Sequence, residues 1–277
     1  MREISLGFSP CPNDTFIFDA LVHNKIEHRY KFKLVIEDVE TLNQMALNHQ
    51  LDITKTSIHA WFHVLDNYRL LSAGGALGKG CGPLLLSREN RIPTSGRIGL
   101  PGELTTAALL FKMAVGEGFD FVFMPFDKII PSILKGDVDA GVIIHESRFT
   151  YQQFNLNNLL DLGEWWEGES NILIPLGGII ISNKVSTQDQ ETIQALIKKS
   201  IIFAENNPDS AAHFIKDNAQ ELDSGIITSH INLYVNRYSK DLGHDGKEAI
   251  RQLYRKSSQR GLLPVDSLFR EDQLFVS

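Results

Sequence analysis

Short β-type runs alternate with helical stretches from the start of the chain: EISLGFS leads into TFIFDALVHNK, FKLVIED into ETLNQMALNH, LDITKTS into HAWFHVLDN, and RLLSAGG comes next. Strands joined through helix-length segments cannot pair as tight hairpins, so this alternation restricts the chain to βαβ units on a mainly parallel sheet. The pattern then begins again. After RENRIPTSG, RIGLPG runs into ELTTAALLFKMAVGEG, FDFVFMPFD into KIIPSILKG, and DAGVII into HESRFTYQQF. The restart predicts a second lobe from about residue 93.

A further apolar strand lies within NLLDLGEWWEGESNILIPLGGIIISNK, and residues 186–262 then read as amphipathic helices with little strand pattern. Such helices need a sheet to cover. The economical arrangement packs them on the first lobe, so that 1–92 and 176–277 form one discontinuous lobe and 93–175 is inserted as the second. PLLLSREN and PLGGIIISNK would be the two crossings. An internal echo supports two related lobes: MALNHQLDITKTSIHAW and SILKGDVDAGVIIHESRF both run helix, polar turn, Asp, apolar strand, polar cluster, helix.

Composition narrows the partners. With 277 residues, 43% apolar and 22% charged, the chain can bury a sizeable core. A formal charge of −7 disfavours nucleic acid and anionic membrane, while leaving room for a local pocket that binds a small anion. No apolar stretch approaches the ~20 residues of a spanning helix, and MREISLGFSPCPND lacks the basic and apolar segments of an export signal. A cytoplasmic protein is expected. Its two cysteines, Cys11 and Cys81, are accordingly expected to be free thiols.

In open parallel sheets, ligands bind beyond the carboxyl ends of the strands. Both polar clusters, Lys55-Thr56-Ser57 and His145-Glu146-Ser147, fall at such ends, so facing lobes would bring them to one cleft. The turn SPCPND links the first strand to the first helix. Asn13 or Asp14 is placed to cap that helix, and Pro10 and Pro12 stiffen its approach to the cleft. In LPGELTTAALLF, Thr105 and Thr106 stand where a helix begins after a strand, and free amides there suit a carboxylate or phosphate. Thr105 is equally an ordinary N-cap.

Two tempting motifs fail on spacing. In GGALGKGCGP only three residues separate Gly74 from the Gly78-Lys79 pair, and Gly80 stands where a P-loop needs Ser or Thr. Close backbone approach to a ligand or a hinge is the better use of these glycines. His59 and His63 share a helical face, but no Glu completes a zincin motif and no Cys or His appears downstream at ligand spacing, so no metal is expected. His23, His28, His49, His213, His230 and His244 read as solvated or packing residues.

His145 differs. It ends an apolar strand, enters a helix whose first turn carries Glu146, and faces the expected cleft. A partly desolvated neutral imidazole there can accept a proton near neutral pH. With no G-x-S-x-G nucleophile elbow nearby, general base is the role these residue types permit.

SPCPNDTFIFDAL, EDVETLN, GGALGKGCGPLL and AGVIIHESRFTY together resemble the 1,4-dihydroxy-6-naphthoate synthases of the futalosine route to menaquinone, and the similarity runs on through DLGEWW and LYVNRYS. The resemblance implies an α/β, two-lobed fold like that of type II periplasmic solute-binding proteins, used inside the cell. It implies conversion of cyclic dehypoxanthine futalosine into 1,4-dihydroxy-6-naphthoate with loss of dihydroxyacetone, and no cofactor. By motif, it makes His145 the proton acceptor and places Lys55, Thr56, Ser57, Thr106 and Ala107 on a small carboxylate substrate. Asn13, Asp14, Glu146 and Arg148 are expected to line the cleft. Chorismate dehydratase of the same route and a non-catalytic carboxylate receptor are the alternatives on this fold.

Overall fold

The computed structural model describes residues 3–220, 223–263 and 274–276. The chain opens with β1 (Glu3–Phe8), α1 (Pro12–Val22), β2 (Lys31–Ile36), α2 (Val39–Leu47), β3 (Ile53–Ser57), α3 (Ile58–Trp61), β4 (Tyr68–Leu70) and β5 (Ala76–Gly78). β1 pairs in parallel with β2 on one side and β3 on the other, the right product of two βα units. A second series comes after it: β6 (Leu84–Ser87), β7 (Arg97–Leu100), α4 (Thr106–Ala114), β8 (Asp120–Phe123), α5 (Phe126–Lys135), β9 (Ala140–Ile143), α6 (Ser147–Thr150), β10 (Asn157–Asp161) and α7 (Leu162–Ser170). Here β7 is parallel to both β8 and β9. The echo between the two halves of the sequence is therefore α2–β3–α3 against α5–β9–α6.

The chain returns through β11 (Ile174–Ser182) and closes with α8 (Thr187–Asn206), α9 (Ala212–Asn218), α10 (Ser224–Tyr234), α11 (Arg237–Lys240) and α12 (Gly243–Gln259). The strand orders are β2-β1-β3-β11-β4, with β5 also on β11, and β10-β6-β9-β7-β8. Both sheets are more mixed than the expected parallel ones. Each holds a parallel trio extended by antiparallel strands, led by β11 beside β3 in one and β6 beside β9 in the other. The cause is the route of the chain: β6 and β11 each arrive from the opposite lobe, so no βαβ crossover fixes their direction.

Sheet membership also departs from the boundary expected at residue 93. β6 hydrogen-bonds to β9 and β10 in the second sheet, so PLLLSREN is a strand of that sheet and the first crossing precedes it. At that crossing a Cβ on Gly82 would lie 2.3 Å from the Cα of Gly163, so only glycine lets the two connecting segments touch.

The C-terminal helices α8 and α12 pack on the first sheet. Ile193, Ile197 and Ile201 of α8 pack against Phe8, Phe18 and Ile179. Ala249, Ile250 and Leu253 of α12 join Trp61 and Phe62 in a core that continues into Leu109 and Phe111 of α4. Each such fully buried large apolar side chain contributes about 1.5–3 kcal/mol. The two lobes thus share one continuous apolar body behind the cleft. No described helix is long and apolar enough to cross a membrane.

Candidate active site

A cavity of about 720 Å³, including its mouth, opens between the carboxyl ends of the two parallel trios. From the first lobe it takes Ser9, Asn13 and Asp14 after β1 and Lys55, Thr56 and Ser57 of β3; from the second, Thr105, Thr106 and Ala107 at the start of α4 and Ile144 and His145 after β9. Leu176 and Gly177 of β11 and Tyr234 of α10 complete the wall.

On the first-lobe side, a buried ion pair is the anchor. Lys55 Nζ lies 3.2 Å from Asp14 Oδ1 and donates to the Gly74 carbonyl at 2.9 Å. Asp14 does not cap α1; Cys11 holds the N-cap position without a side-chain bond, and Pro12 opens the helix. The Asp14 carboxylate instead accepts from the Ser9 hydroxyl at 2.7 Å, the Ser9 amide at 3.2 Å and the Asn13 amide group at 2.9 Å. Beside it, the Ser57 hydroxyl and amide are held by Asn43 at 3.2 and 2.9 Å. The Thr56 hydroxyl is buried in the cavity wall and has no hydrogen-bond partner among the described residues, as a group awaiting a ligand would.

The threonines of α4 divide their duties. Thr105 is an N-cap: its hydroxyl accepts from the Ala108 amide at 3.1 Å and donates to the Gly102 carbonyl at 2.8 Å. Thr106 receives the His59 amide at 3.2 Å and donates to the Leu176 carbonyl at 2.7 Å, so its hydroxyl ties the second lobe to the first. What these residues offer a ligand is the first-turn amides of Thr106 and Ala107, which have no intrahelical acceptor.

His145 sits two residues ahead of α6 rather than inside it, at φ 56°, a left-handed conformation that non-glycine residues adopt at some cost. The turn swings its ring out of the strand and into the cleft. Nδ1 lies 3.5 Å from the Cys11 sulfur, one face stacks on His230 at 6.0 Å and 15°, and Phe126 packs at 5.0 Å. Burial lowers its pKa to about 4; the Asp14 carboxylate opposes this and the Lys55 ammonium adds to it. The imidazole is neutral at neutral pH, as a proton acceptor requires.

Glu146 and Arg148, expected along the cleft, are not in the cavity wall. Arg148 turns away to the Gly82 carbonyl and to Asp161, 2.6 Å distant, the residue that caps α7. Donor atoms of Cys11, His145 and Glu146 lie within 4.8 Å of one another, a set of the type zinc binds. Ligation would need a thiolate, and burial together with the Glu146 charge pushes the Cys11 thiol well above its ordinary range.

Sequence reading misses four participants. Cys11 reads as part of a stiff turn, with no sign of its contact to His145; His230, read as solvated or packing, is fully buried and donates from Nε2 to Asn13 Oδ1 at 2.8 Å. Asn43 and Tyr234 lie on helices whose faces periodicity alone does not aim.

Two lobes facing one another across a cavity at strand ends, largely apolar with a few converging polar groups, define a solute-binding fold. An alkanesulfonate-binding protein from Xanthomonas axonopodis pv. citri aligns with a TM-score of 0.72 over 95% of this chain and 94% of its own, at 12% identity. Within that class, the chain belongs to the menaquinone biosynthesis family, which it matches over residues 4–259. It is 41% identical over 263 residues to the 1,4-dihydroxy-6-naphthoate synthase of Thermus thermophilus, spanning 95% of this chain and 96% of that one. A solved structure from Archaeoglobus fulgidus is 37% identical with a TM-score of 0.90, covering 94% of this chain and 98% of its own.

Proposed function

We propose that the protein is a cytoplasmic carbon–carbon lyase that converts cyclic dehypoxanthine futalosine into 1,4-dihydroxy-6-naphthoate and dihydroxyacetone. The observation that carries this reading is a neutral His145 imidazole at the wall of a cavity that the helix-terminal residues Thr106 and Ala107 also line. The substrate carboxylate binds the amides of Thr106 and Ala107, where the dipole of α4 favours negative charge. Lys55, Thr56 and Ser57 hold the polar groups on the opposite side. His145 removes a proton from the bound substrate, and the electron pair released drives cleavage of the carbon–carbon bond as the ring becomes aromatic. The three-carbon fragment leaves as dihydroxyacetone. Closure of the lobes excludes water and keeps the acceptor uncharged until the substrate proton arrives.

Purified protein given the cyclic futalosine derivative should release the naphthoate, and given chorismate should leave it unchanged. His145→Ala should lower turnover by roughly 10²–10⁴-fold, the usual contribution of a general base. Wild-type turnover in that variant would remove the role assigned to His145.

A further inference from the structure

Cys11 stands between β1 and α1 in the first lobe, and His145 and Glu146 follow β9 in the second, yet one donor atom of each lies within 4.8 Å of the others. Among the described residues this is the single group of three or more histidine, cysteine or carboxylate donors gathered so tightly. Its best-defined edge has the dimensions of a metal site. Zinc holds a thiolate sulfur at about 2.3 Å and an imidazole nitrogen at about 2.0–2.1 Å, so a tetrahedral angle sets those two atoms about 3.5 Å apart. The Cys11 sulfur and His145 Nδ1 stand 3.5 Å apart. A thiol–imidazole hydrogen bond has the same length, and the third donor separates the two uses: a carboxylate adds nothing to that bond, whereas it completes a set of zinc ligands.

The geometry points to an inhibitory zinc site made by Cys11, His145 and Glu146, with the fourth position of the ion left to water. A thiolate beside an imidazole selects zinc over magnesium or calcium. A neutral imidazole has one lone pair. Zinc on Nδ1 takes it and leaves the proton on Nε2, so neither nitrogen of His145 can then accept a proton. Because the donors come from both lobes, the ion also ties the lobes together across the cleft. Binding stands apart from the lyase reading, whereas inhibition rests on it.

The charges around the site balance only when the ion is present. In the metal-free site, burial first and the Glu146 carboxylate second keep the proton on Cys11; Asp14 acts the same way, while Ser9 and Lys55 oppose it. A divalent cation between the sulfur and the carboxylate reverses the effect of Glu146, since its own charge becomes the largest in the site and a coordinating thiol loses its proton. That proton passes to solvent. Thiolate and carboxylate then offset the two positive charges, and the imidazole supplies the third donor without adding charge. Neighbouring groups do not compete: the Lys55 ammonium is paired with Asp14, and His230, kept neutral by burial, spends its Nε2–H on Asn13.

Cadmium occupies zinc sites and reports a thiolate ligand by an ultraviolet charge-transfer band, which needs no turnover. Metal-free full-length protein titrated with cadmium should develop this band and saturate at one ion per chain. Cys81→Ala should keep the band and Cys11→Ala should lose it; an ion held by His59 and His63, whose Nε2 atoms are 3.3 Å apart, gives none. Outer-shell partners are typically worth about 10–100-fold in metal affinity, so losing a ligand in Glu146→Gln or His145→Ala should weaken zinc by at least roughly 100-fold. Zinc in slight excess should abolish turnover of the cyclic futalosine derivative, a chelator should restore it, and magnesium should do nothing. A wild type without the band, a band that persists in Cys11→Ala, or unchanged zinc affinity in Glu146→Gln overturns the site. Full turnover by the zinc-saturated enzyme overturns the inhibition. Metal-free enzyme that leaves the cyclic derivative intact would instead sink the lyase reading, and the cadmium band then judges the site on its own.

Discussion

Lys55 Nζ stands 3.2 Å from Asp14 Oδ1, with the two side chains only 7% and 3% exposed. Breaking a sealed pair by removing one partner leaves a buried charge uncompensated and costs about 3–5 kcal/mol, far more than the pair itself contributes. Lys55→Met should therefore destabilise the protein by about that amount in urea unfolding. Lys55→Met combined with Asp14→Asn should recover most of the loss without recovering activity. A single variant as stable as wild type would show that the charges are screened and the anchor unimportant.

Protonation links the site to stability with a definite sign. Folding lowers the His145 pKa from 6.5 to about 4, so between those values the unfolded chain binds a proton that the folded protein refuses. The His145 contribution to stability should thus be level above pH 6.5, fall as pH drops toward 4, and level off below. His59, buried and held at about 3, and His230, pushed down by burial, act in the same direction. Urea midpoints measured across this window should fall less steeply for His145→Gln than for wild type, by at least about 1 kcal/mol in total. The acid limb of kcat/KM should lie near 4 rather than 6.5.

Much of this arrangement is legible in residue order, because βα alternation fixes where strand ends and helix starts lie. Asn13, Asp14, Lys55, Thr56, Ser57, Thr105, Thr106, Ala107 and His145 all sit at such points, and the structure brings them to one cavity. Glu146 and Arg148 fail because the left-handed turn at His145 rotates the next residues out of the register a continuous helix would give. His230 and Asn43 are hidden for a different reason. Each reaches the site through tertiary packing of a helix, and a polar residue on an amphipathic helix carries no sign of the neighbour it will meet.

Thr106 joins the lobes through one hydroxyl, donating 2.7 Å to the Leu176 carbonyl and accepting the His59 amide at 3.2 Å. Thr106→Val keeps the volume and removes both bonds, leaving the buried His59 amide and the half-buried Leu176 carbonyl without this partner; the cost should be about 1–3 kcal/mol. Because the lost contacts bridge the lobes, KM should rise more than kcat falls. Steady-state kinetics with unchanged KM would confine Thr106 to local packing.

Arg148 uses the fork of its guanidinium, one nitrogen on the Gly82 carbonyl and another 2.6 Å from Asp161, so a single side chain from α6 grips the first crossing and the start of α7. A lysine reaches either partner as a point charge but cannot match the fork. Arg148→Lys should therefore resemble Arg148→Ala more than wild type, each losing about 2 kcal/mol, below the cost of breaking a fully buried pair because Arg148 is 18% exposed. His145 lies only three residues upstream, so the loosened turn should also lower kcat while leaving the acid limb of the pH profile in place. A shifted limb would mean that the Arg148 charge, rather than its grip, acts on the imidazole.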